Sequence, residues 1–212
     1  MLEYTDYIKI FIALLAVVDP LGVAPIIAAL TTRVGDAELK KIALTVAFTV
    51  STILLLALFI GENMLIFFGI SIHSFMVSGG ILLMLMSISM LQARTSETVH
   101  NKVEAKEGEA KESIAVVPLS MPLLAGPGAI STVILYGQSG SGYRHFVFMT
   151  VDIVLVVAIL WVVISCIPWL ARHLSRTGIN IFTRLMGLIL SALAVEFIAT
   201  GIKGLFPALA VH

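Results

Sequence analysis

Long apolar runs separated by short polar segments dominate the chain. The runs cover about residues 7–30, 42–60, 74–92, 113–136, 146–170 and 182–201. Each is close to the roughly 20 residues that an α-helix needs to cross the hydrocarbon core of a bilayer. The runs are continuously apolar, whereas the strands of a membrane β-barrel alternate apolar and polar residues. The pattern therefore predicts an all-α, polytopic protein with six transmembrane helices.

The segments between the runs are short, with one exception. A polar connection covers 31–41, a turn is predicted at 61–63, and a Gly/Ser loop covers 137–142. The apolar segment 64–70 is too short to span, so it either lies at the interface, re-enters or extends the third helix. The long segment 94–112 mixes acidic and basic residues without Phe, Tyr or Trp, which indicates a solvated linker.

Composition agrees with a membrane protein. Of the 212 residues, 59% are hydrophobic and 12% are charged, against about 25% charged in a typical soluble domain. The expected environment is a lipid bilayer. The formal net charge of zero gives no reason to expect nucleic acid, and the single cysteine, Cys166, cannot form an internal disulfide.

The distribution of lysine and arginine predicts the orientation. If the N-terminus is outside, the connections after helices one, three and five face the cytoplasm. These connections then hold ten of the 13 basic residues, and only Lys9, Arg144 and Lys203 lie outside. The positive-inside rule therefore favours an N-terminus and a C-terminus outside.

Prolines and glycines interrupt two of the apolar runs near their centres. The interruptions comprise Asp19, Pro20, Gly22 and Pro25 in the first run, and Gly126, Pro127 and Gly128 in the fourth. Proline removes a backbone donor and clashes with the preceding turn, so helices one and four are predicted to be broken. Backbone groups freed in this way must be buried in protein or face a wet cavity.

The freed backbone groups predict the kind of ligand. Exposed N–H ends attract anions, and carbonyl ends suit an ammonium group or a small cation, so the two together match a zwitterion. Ser131 and Thr132 either add hydroxyl contacts or only bond back to their own helix. The small residues Ala24, Ala125 and Ala129 favour a small ligand.

An internal repeat relates the two halves of the chain. A shift of 107 residues places Pro20 on Pro127, Asp19 on Gly126, Phe75 on Phe182, Gly80 on Gly187 and Leu83 on Leu190. The predicted organisation is a first three-helix repeat at 1–93, a cytoplasmic linker at 94–112 and a second repeat at 113–212. Because each repeat has an odd number of spans, the two insert with inverted topology, as in many secondary transporters.

Three acidic residues lie within predicted spans. An ionisable group at the depth of Asp19 indicates function, although it can also cap the helix by accepting from the N–H of Leu21 or Gly22. Asp152 either relays protons or is merely hydrated near a helix end. Glu196 either relays protons or pairs with Lys203. We therefore predict Asp19, Asp152 and Glu196 as candidates for ion coupling.

No catalytic residue, metal ligand or bound cofactor is predicted. The five histidines show no ligand spacing. A membrane enzyme would need a second catalytic group near Asp19, and the sequence offers none, so we expect a protein that is not an enzyme. The remaining alternative to a transporter is a cation channel or exporter, whose filter the two interruptions would form.

The sequence resembles the MarC/SnatA family of bacterial and archaeal inner-membrane proteins along essentially its whole length. The resemblance rests on the motifs at 17–25, 78–80, 121–132 and 184–187. It implies ion-coupled transport of small neutral amino acids such as glycine or alanine, driven by protons or sodium, in a prokaryotic inner membrane. Carried over by motif, the residues that would line the site are Asp19, Pro20, Gly22, Gly126, Pro127 and Gly128.

The resemblance leaves several properties open. Some family members are compared with LysE-type exporters of small metabolites, so the direction of transport is open. The sequence also leaves open whether the protein is a homo-oligomer.

Overall fold

A computed structural model describes residues 3–31, 35–92, 125–173 and 176–206, and within these ranges all regular structure is helical. The helices are α1 (Tyr4–Val18), α2 (Pro20–Leu30), α3 (Asp36–Phe67), α4 (Ile72–Leu91), α5 (Pro127–Gln138), α6 (Tyr143–Ser165), α7 (Ile167–His173) and α8 (Arg176–Leu205). The predicted all-α class is confirmed for this part of the chain. The predicted linker and the start of the predicted fourth helix, at 94–124, lie outside the described residues.

Five helices are long and apolar enough to cross a membrane. They cover Tyr4–Ala24, Ala37–Phe67, Ile72–Leu91, Tyr143–Ser165 and Thr177–Leu205. The chain is therefore a multi-pass membrane protein. Helix α5 has 12 residues and is too short to span by itself.

The turn predicted at 61–63 is wrong. Helix α3 runs without interruption to Phe67, and the chain turns afterwards, at Phe68–Ile70, where Gly69 has a φ of 66°. Gly61 serves packing instead, because a Cβ there would collide with the side chain of Ile134 on α5. The apolar segment 64–70 thus extends the second predicted helix and not the third.

Other predicted boundaries also need correction. The helix predicted at 146–170 is two helices, because α6 ends at Ser165 and Pro168 has no N–H with which to continue its hydrogen bonding. The loop predicted at 137–142 is shorter, since α5 reaches Gln138 and α6 begins at Tyr143.

Glycines bring α4 and α8 into close contact. A Cβ on Gly80 of α4 would lie 2.8 Å from the carbonyl oxygen of Ala194 and 3.1 Å from the amide nitrogen of Ile198. These distances are shorter than a side chain tolerates, so the backbones meet only because position 80 lacks one. Small residues have the same role at many helix contacts in membranes.

A second contact repeats the first with the helices exchanged. A Cβ on Gly187 of α8 would lie 3.2 Å from the carbonyl oxygen of Ser87 and 3.3 Å from the amide nitrogen of Leu91. Each of these three residues is 107 positions from its counterpart in the contact of Gly80. The α4–α8 contact is therefore equivalent in both directions, like an isologous interface.

Alanine at either glycine should destabilise the protein. We expect Gly80→Ala and Gly187→Ala each to lower the free energy of unfolding by about 1–3 kcal/mol, because the added methyl group meets backbone atoms that cannot rotate away. Ser89→Ala on α4 is the control, since among the described residues the Ser89 side chain bonds only to the carbonyl of Leu85 in its own helix. Thermal unfolding in detergent measures the effect, and wild-type melting of both variants would contradict the packing described.

Candidate functional site

Asp19 is the junction between α1 and α2. Its backbone is left-handed, with φ 42° and ψ 63°, and among the described residues no other non-glycine residue has a positive φ. Pro20 follows as the first residue of α2. Proline disfavours helical backbone in the residue before it, and Asp tolerates the left-handed region better than most residues. The local sequence therefore explains why the junction lies at this position.

The carboxylate of Asp19 caps α2. Its Oδ1 accepts a hydrogen bond from the N–H of Gly22 at 3.1 Å, and the residue is buried, with 9% exposure. A Cβ on Gly22 would occupy the place of this carboxylate, so the cap requires glycine at position 22. The predicted capping alternative is thus present, and it does not exclude a second role for the charge.

The junction releases backbone carbonyls. Pro20 has no N–H to donate to the carbonyl of Ala16, and the N–H of Gly22 bonds to Asp19 instead of to the carbonyl of Val18. The N–H of Asp19 still reaches Leu15 O at 2.9 Å. The carbonyls of Ala16 and Val18 therefore lack the donor that the fourth residue along a continuous helix would provide.

The second interruption opens α5. Gly126 is its N-cap and Pro127 its first residue, and glycine provides no side-chain cap. The first intrahelical bond runs from the N–H of Ile130 to Gly126 O at 3.1 Å. The N–H groups of Gly128 and Ala129, both buried, point out of the helix end, as the first amides of any helix do.

The hydroxyl groups after this interruption differ in their roles. Thr132 Oγ1 donates to Gly128 O at 2.8 Å, so its hydrogen is used within α5. Ser131 is buried and faces Gly79 of α4. Pro25 lies in α2, and its side chain is outside the described part of the structure.

Both interruptions border one apolar core. Helix α1 packs against α5, and the core includes Val17 and Val18 beside Asp19, and Ala125 and Ala129 beside Gly126. The structure thus brings α1 and α5 together; Gly128 and Ala129 are buried, whereas Gly126 is partly exposed and Pro127 is exposed.

The other two predicted acids have different surroundings. Asp152 of α6 is buried, at 8% exposure, and its Oδ2 has no hydrogen-bond partner among the described residues. Glu196 of α8 is exposed. It forms no ion pair with Lys203, which lies seven residues, or about 10 Å, further along the same helix.

His145 lies at the centre of a cluster of hydrogen-bonding groups that the sequence did not indicate. This residue, 3% exposed at the start of α6, places Nδ1 3.0 Å from the hydroxyl of Tyr7 and Nε2 3.0 Å from the carbonyl of Tyr136. Because a carbonyl only accepts, Nε2 donates, and Nδ1 of the neutral ring accepts from Tyr7. The partners are 138 residues apart, so no local pattern reveals the pair.

A cavity of about 890 Å³, open on one side, adjoins this group. It lies between the start of α1 and the α5–α6 connection. The side chains and backbone that line it belong to Glu3, Tyr4, Thr5, Tyr7, Gln138, Ser139, Gly140, Ser141, Arg144, His145 and Phe148. Elsewhere in the described residues, no group of three or more His, Cys, Asp or Glu residues is placed to hold a metal ion.

Comparisons with known proteins agree on one family. The model of the MarC family of integral membrane proteins matches residues 4–206. The UPF0056 membrane protein YhcE of Escherichia coli is 44% identical over 98% of this chain and 96% of its own length. YvbG of Bacillus subtilis is 37% identical over 97% and 98%, and a relative in Methanocaldococcus jannaschii is 33% identical over 100% and 95%. No solved structure matches the chain.

Two substitutions at position 19 distinguish the capping role of Asp19 from the effect of its charge. Asp19→Ala should lower the free energy of unfolding by about 1–3 kcal/mol, because it removes the cap and places alanine in left-handed backbone. Asp19→Asn should change it by less than about 0.5 kcal/mol, since asparagine caps as well and tolerates this backbone. Unfolding in mixed micelles measures both, and equal stability of the two variants would show that the cap is unimportant.

Proposed function

The chain belongs to the MarC family of integral membrane proteins, and we propose that it is a secondary transporter of small neutral amino acids, of the size of glycine or alanine. The observation that carries this proposal is the buried, left-handed Asp19 between two helices of a membrane protein. An ionisable side chain is costly at such a position and is kept there for a function.

The two helix junctions provide complementary ends for a zwitterion. Carbonyl oxygens of Ala16 and Val18, with the carboxylate of Asp19, form a negative end suited to the substrate ammonium group. The N–H groups of Gly128 and Ala129 form a positive end suited to its carboxylate. In this proposal the substrate binds among Asp19, Pro20, Gly22, Pro25, Gly126, Pro127, Gly128, Ser131 and Thr132.

The size of the substrate follows from the residues beside the junctions. Ala24, Ala125 and Ala129 are buried, at 4%, 2% and 1% exposure. These three positions carry only methyl side chains, which offer little polar surface and take up little space beside the freed backbone groups. A ligand with a hydrogen or methyl side chain therefore fits the proposal better than a bulky one.

An inverted repeat would give this site alternating access. Helices α2 and α5 both begin at a proline, Pro20 and Pro127, and α3 and α6 begin at Asp36 and Tyr143, which are also 107 residues apart. The exchanged glycine contacts of α4 and α8 support the same relationship. We infer two three-helix units, at 1–93 and 113–212, with broken helices one and four, that rock against each other.

Ion coupling completes the proposed mechanism. The acids Asp19, Asp152 and Glu196 are the candidates, with a proton or sodium as the ion, and Glu196 has the weakest support because it is exposed. The proposed setting is a prokaryotic inner membrane with both termini outside, as the distribution of basic residues favours.

Exchange in proteoliposomes tests the proposed function. Vesicles loaded with unlabelled alanine should take up labelled alanine or glycine from outside, because counterflow needs only a substrate site with alternating access. Empty liposomes and liposomes loaded with a bulky amino acid such as tryptophan are the controls. Absence of counterflow with every small neutral amino acid, or an ionic current independent of amino acids, would refute the transporter and favour a channel.

Asp19→Asn should abolish this exchange while the protein stays folded. The substitution keeps the cap of α2 but removes the negative charge that the substrate ammonium group would contact. Counterflow and thermal unfolding are measured on the same preparation. Asp6→Asn is the matched control, since Asp6 is on the same helix but pairs with Lys9 at the surface. Full exchange by Asp19→Asn would remove its charge from the mechanism.

A further inference from the structure

Three of the side chains that line the cavity, from α1 and α6, contact one another. The rings of Tyr7 and Phe148 lie with centroids 4.7 Å apart, and the hydroxyl of Tyr7 bonds to His145. His145 is only 3% exposed, so it forms part of the deep wall and not of the rim. We call Tyr7, His145 and Phe148 the cavity floor.

Asp152 lies behind the cavity floor. It follows Phe148 by four residues and His145 by seven, which places all three on one face of α6 at successive turns. Asp152 does not line the cavity, and it lies one turn beyond Phe148, towards the middle of α6. The floor therefore separates a buried acid from a large opening to the surroundings.

The surroundings of Asp152 suit a proton better than a metal cation. Within the part of the chain that the structure describes, its Oδ2 has no hydrogen-bond partner, and its neighbours along the helix, Met149, Ile153 and Val156, are fully buried and apolar. A desolvated cation needs several oxygen ligands, and these side chains offer none. A single proton needs only the carboxylate oxygen and leaves a neutral group in the apolar site.

The other charged and titratable groups near this site are few. On the described part of α1, the charged and titratable residues nearest this end of the bundle are Tyr4, Asp6, Tyr7 and Lys9. On α6 itself, Arg144 and His145 precede Asp152. Helix α2 contains no charged residue, and the described charged side chains of α3, which also packs against α6, are exposed: Glu38, Lys40, Lys41 and Glu62.

We propose that Asp152 binds and releases the coupling proton, and that it exchanges this proton with the open cavity past Tyr7, His145 and Phe148. A proton from cavity water adds to the carboxylate and gives a neutral carboxyl group, and the reverse step returns it to water. Tyr7 and His145 are positioning residues, because their mutual hydrogen bond holds the floor together. The inference rests on the proposed transport function and specifies its coupling ion.

Substrate and proton movements in proteoliposomes test this inference together. Wild-type protein should accumulate labelled alanine when a pH gradient is imposed, and a pH dye inside the vesicles should report the accompanying protons. Asp152→Asn should keep counterflow but lose accumulation by at least about tenfold, because the amide cannot carry the proton. Glu62→Gln, an exposed acid-to-amide change on α3, should behave as wild type.

The positioning role has its own readout. Tyr7→Phe removes the hydroxyl that bonds to His145 but keeps the aromatic ring of the floor. The Tyr7→Phe variant should still accumulate alanine, but the pH dependence of accumulation should shift. If Tyr7 were merely structural, the substitution would change the amount of folded protein and leave the pH dependence unchanged. An unchanged profile would contradict the role of Tyr7.

The outcomes distinguish the two proposals. Wild-type counterflow with accumulation driven by sodium alone, or full pH-driven accumulation by Asp152→Asn, would overturn the proton site and leave the transporter standing. Absence of wild-type counterflow would refute the transporter itself. If Asp152→Asn does not fold, labelling of the wild-type protein by dicyclohexylcarbodiimide decides, since this reagent converts a protonated buried carboxyl to an acylurea. Mass spectrometry should find the label on Asp152, decreasing as pH rises, and its absence there would overturn the inference.

Discussion

The hydrogen bond from the Gly22 amide to the Asp19 carboxylate makes an interrupted helix tolerable within a membrane protein. In a bilayer, every backbone polar group without a partner costs several kcal/mol, so a helix can be interrupted only where side chains or a wet space replace the lost bonds. Asp19 provides the replacement from the same four-residue stretch, Asp19 to Gly22, that contains the interruption. This bond also takes the N–H that would otherwise bond to the carbonyl of Val18, while Pro20 leaves the carbonyl of Ala16 without its donor.

The remaining helices hold this junction in place through contacts that only small residues permit. Gly80 and Gly187 let α4 and α8 approach to backbone contact, and Gly128 lies against Met86 of α4 at the start of α5. Lipid provides no hydrophobic force to join helices, so such close packing has to stabilise the bundle. The same contacts orient α5, whose free amides form one end of the proposed substrate site.

Asp19 and Asp152 are both buried, but their different partners suit different tasks. Asp19 accepts a backbone N–H and caps a helix, so it is fixed in position and suited to contact a substrate. Asp152 has an oxygen without a partner in an apolar setting near a large cavity. A group of this kind is suited to gain and lose a proton. In the proposed mechanism, substrate binding and proton binding are therefore assigned to two different acids of the same helix bundle.

The sequence by itself determined the membrane class, the all-α structure and the helix start at Pro20, because these depend on composition or on residues within one turn of each other. It also determined the family, because short motifs identify a family wherever they stand along the chain. Only the tertiary structure decided the course of α3 through Gly61, the burial of Asp152 and the exposure of Glu196. Each of these depends on which distant helix lies alongside, as Ile134 does for Gly61. The pairing of Tyr7 with His145 shows the same limit, since a hydrogen bond between residues 138 positions apart leaves no pattern in the local sequence.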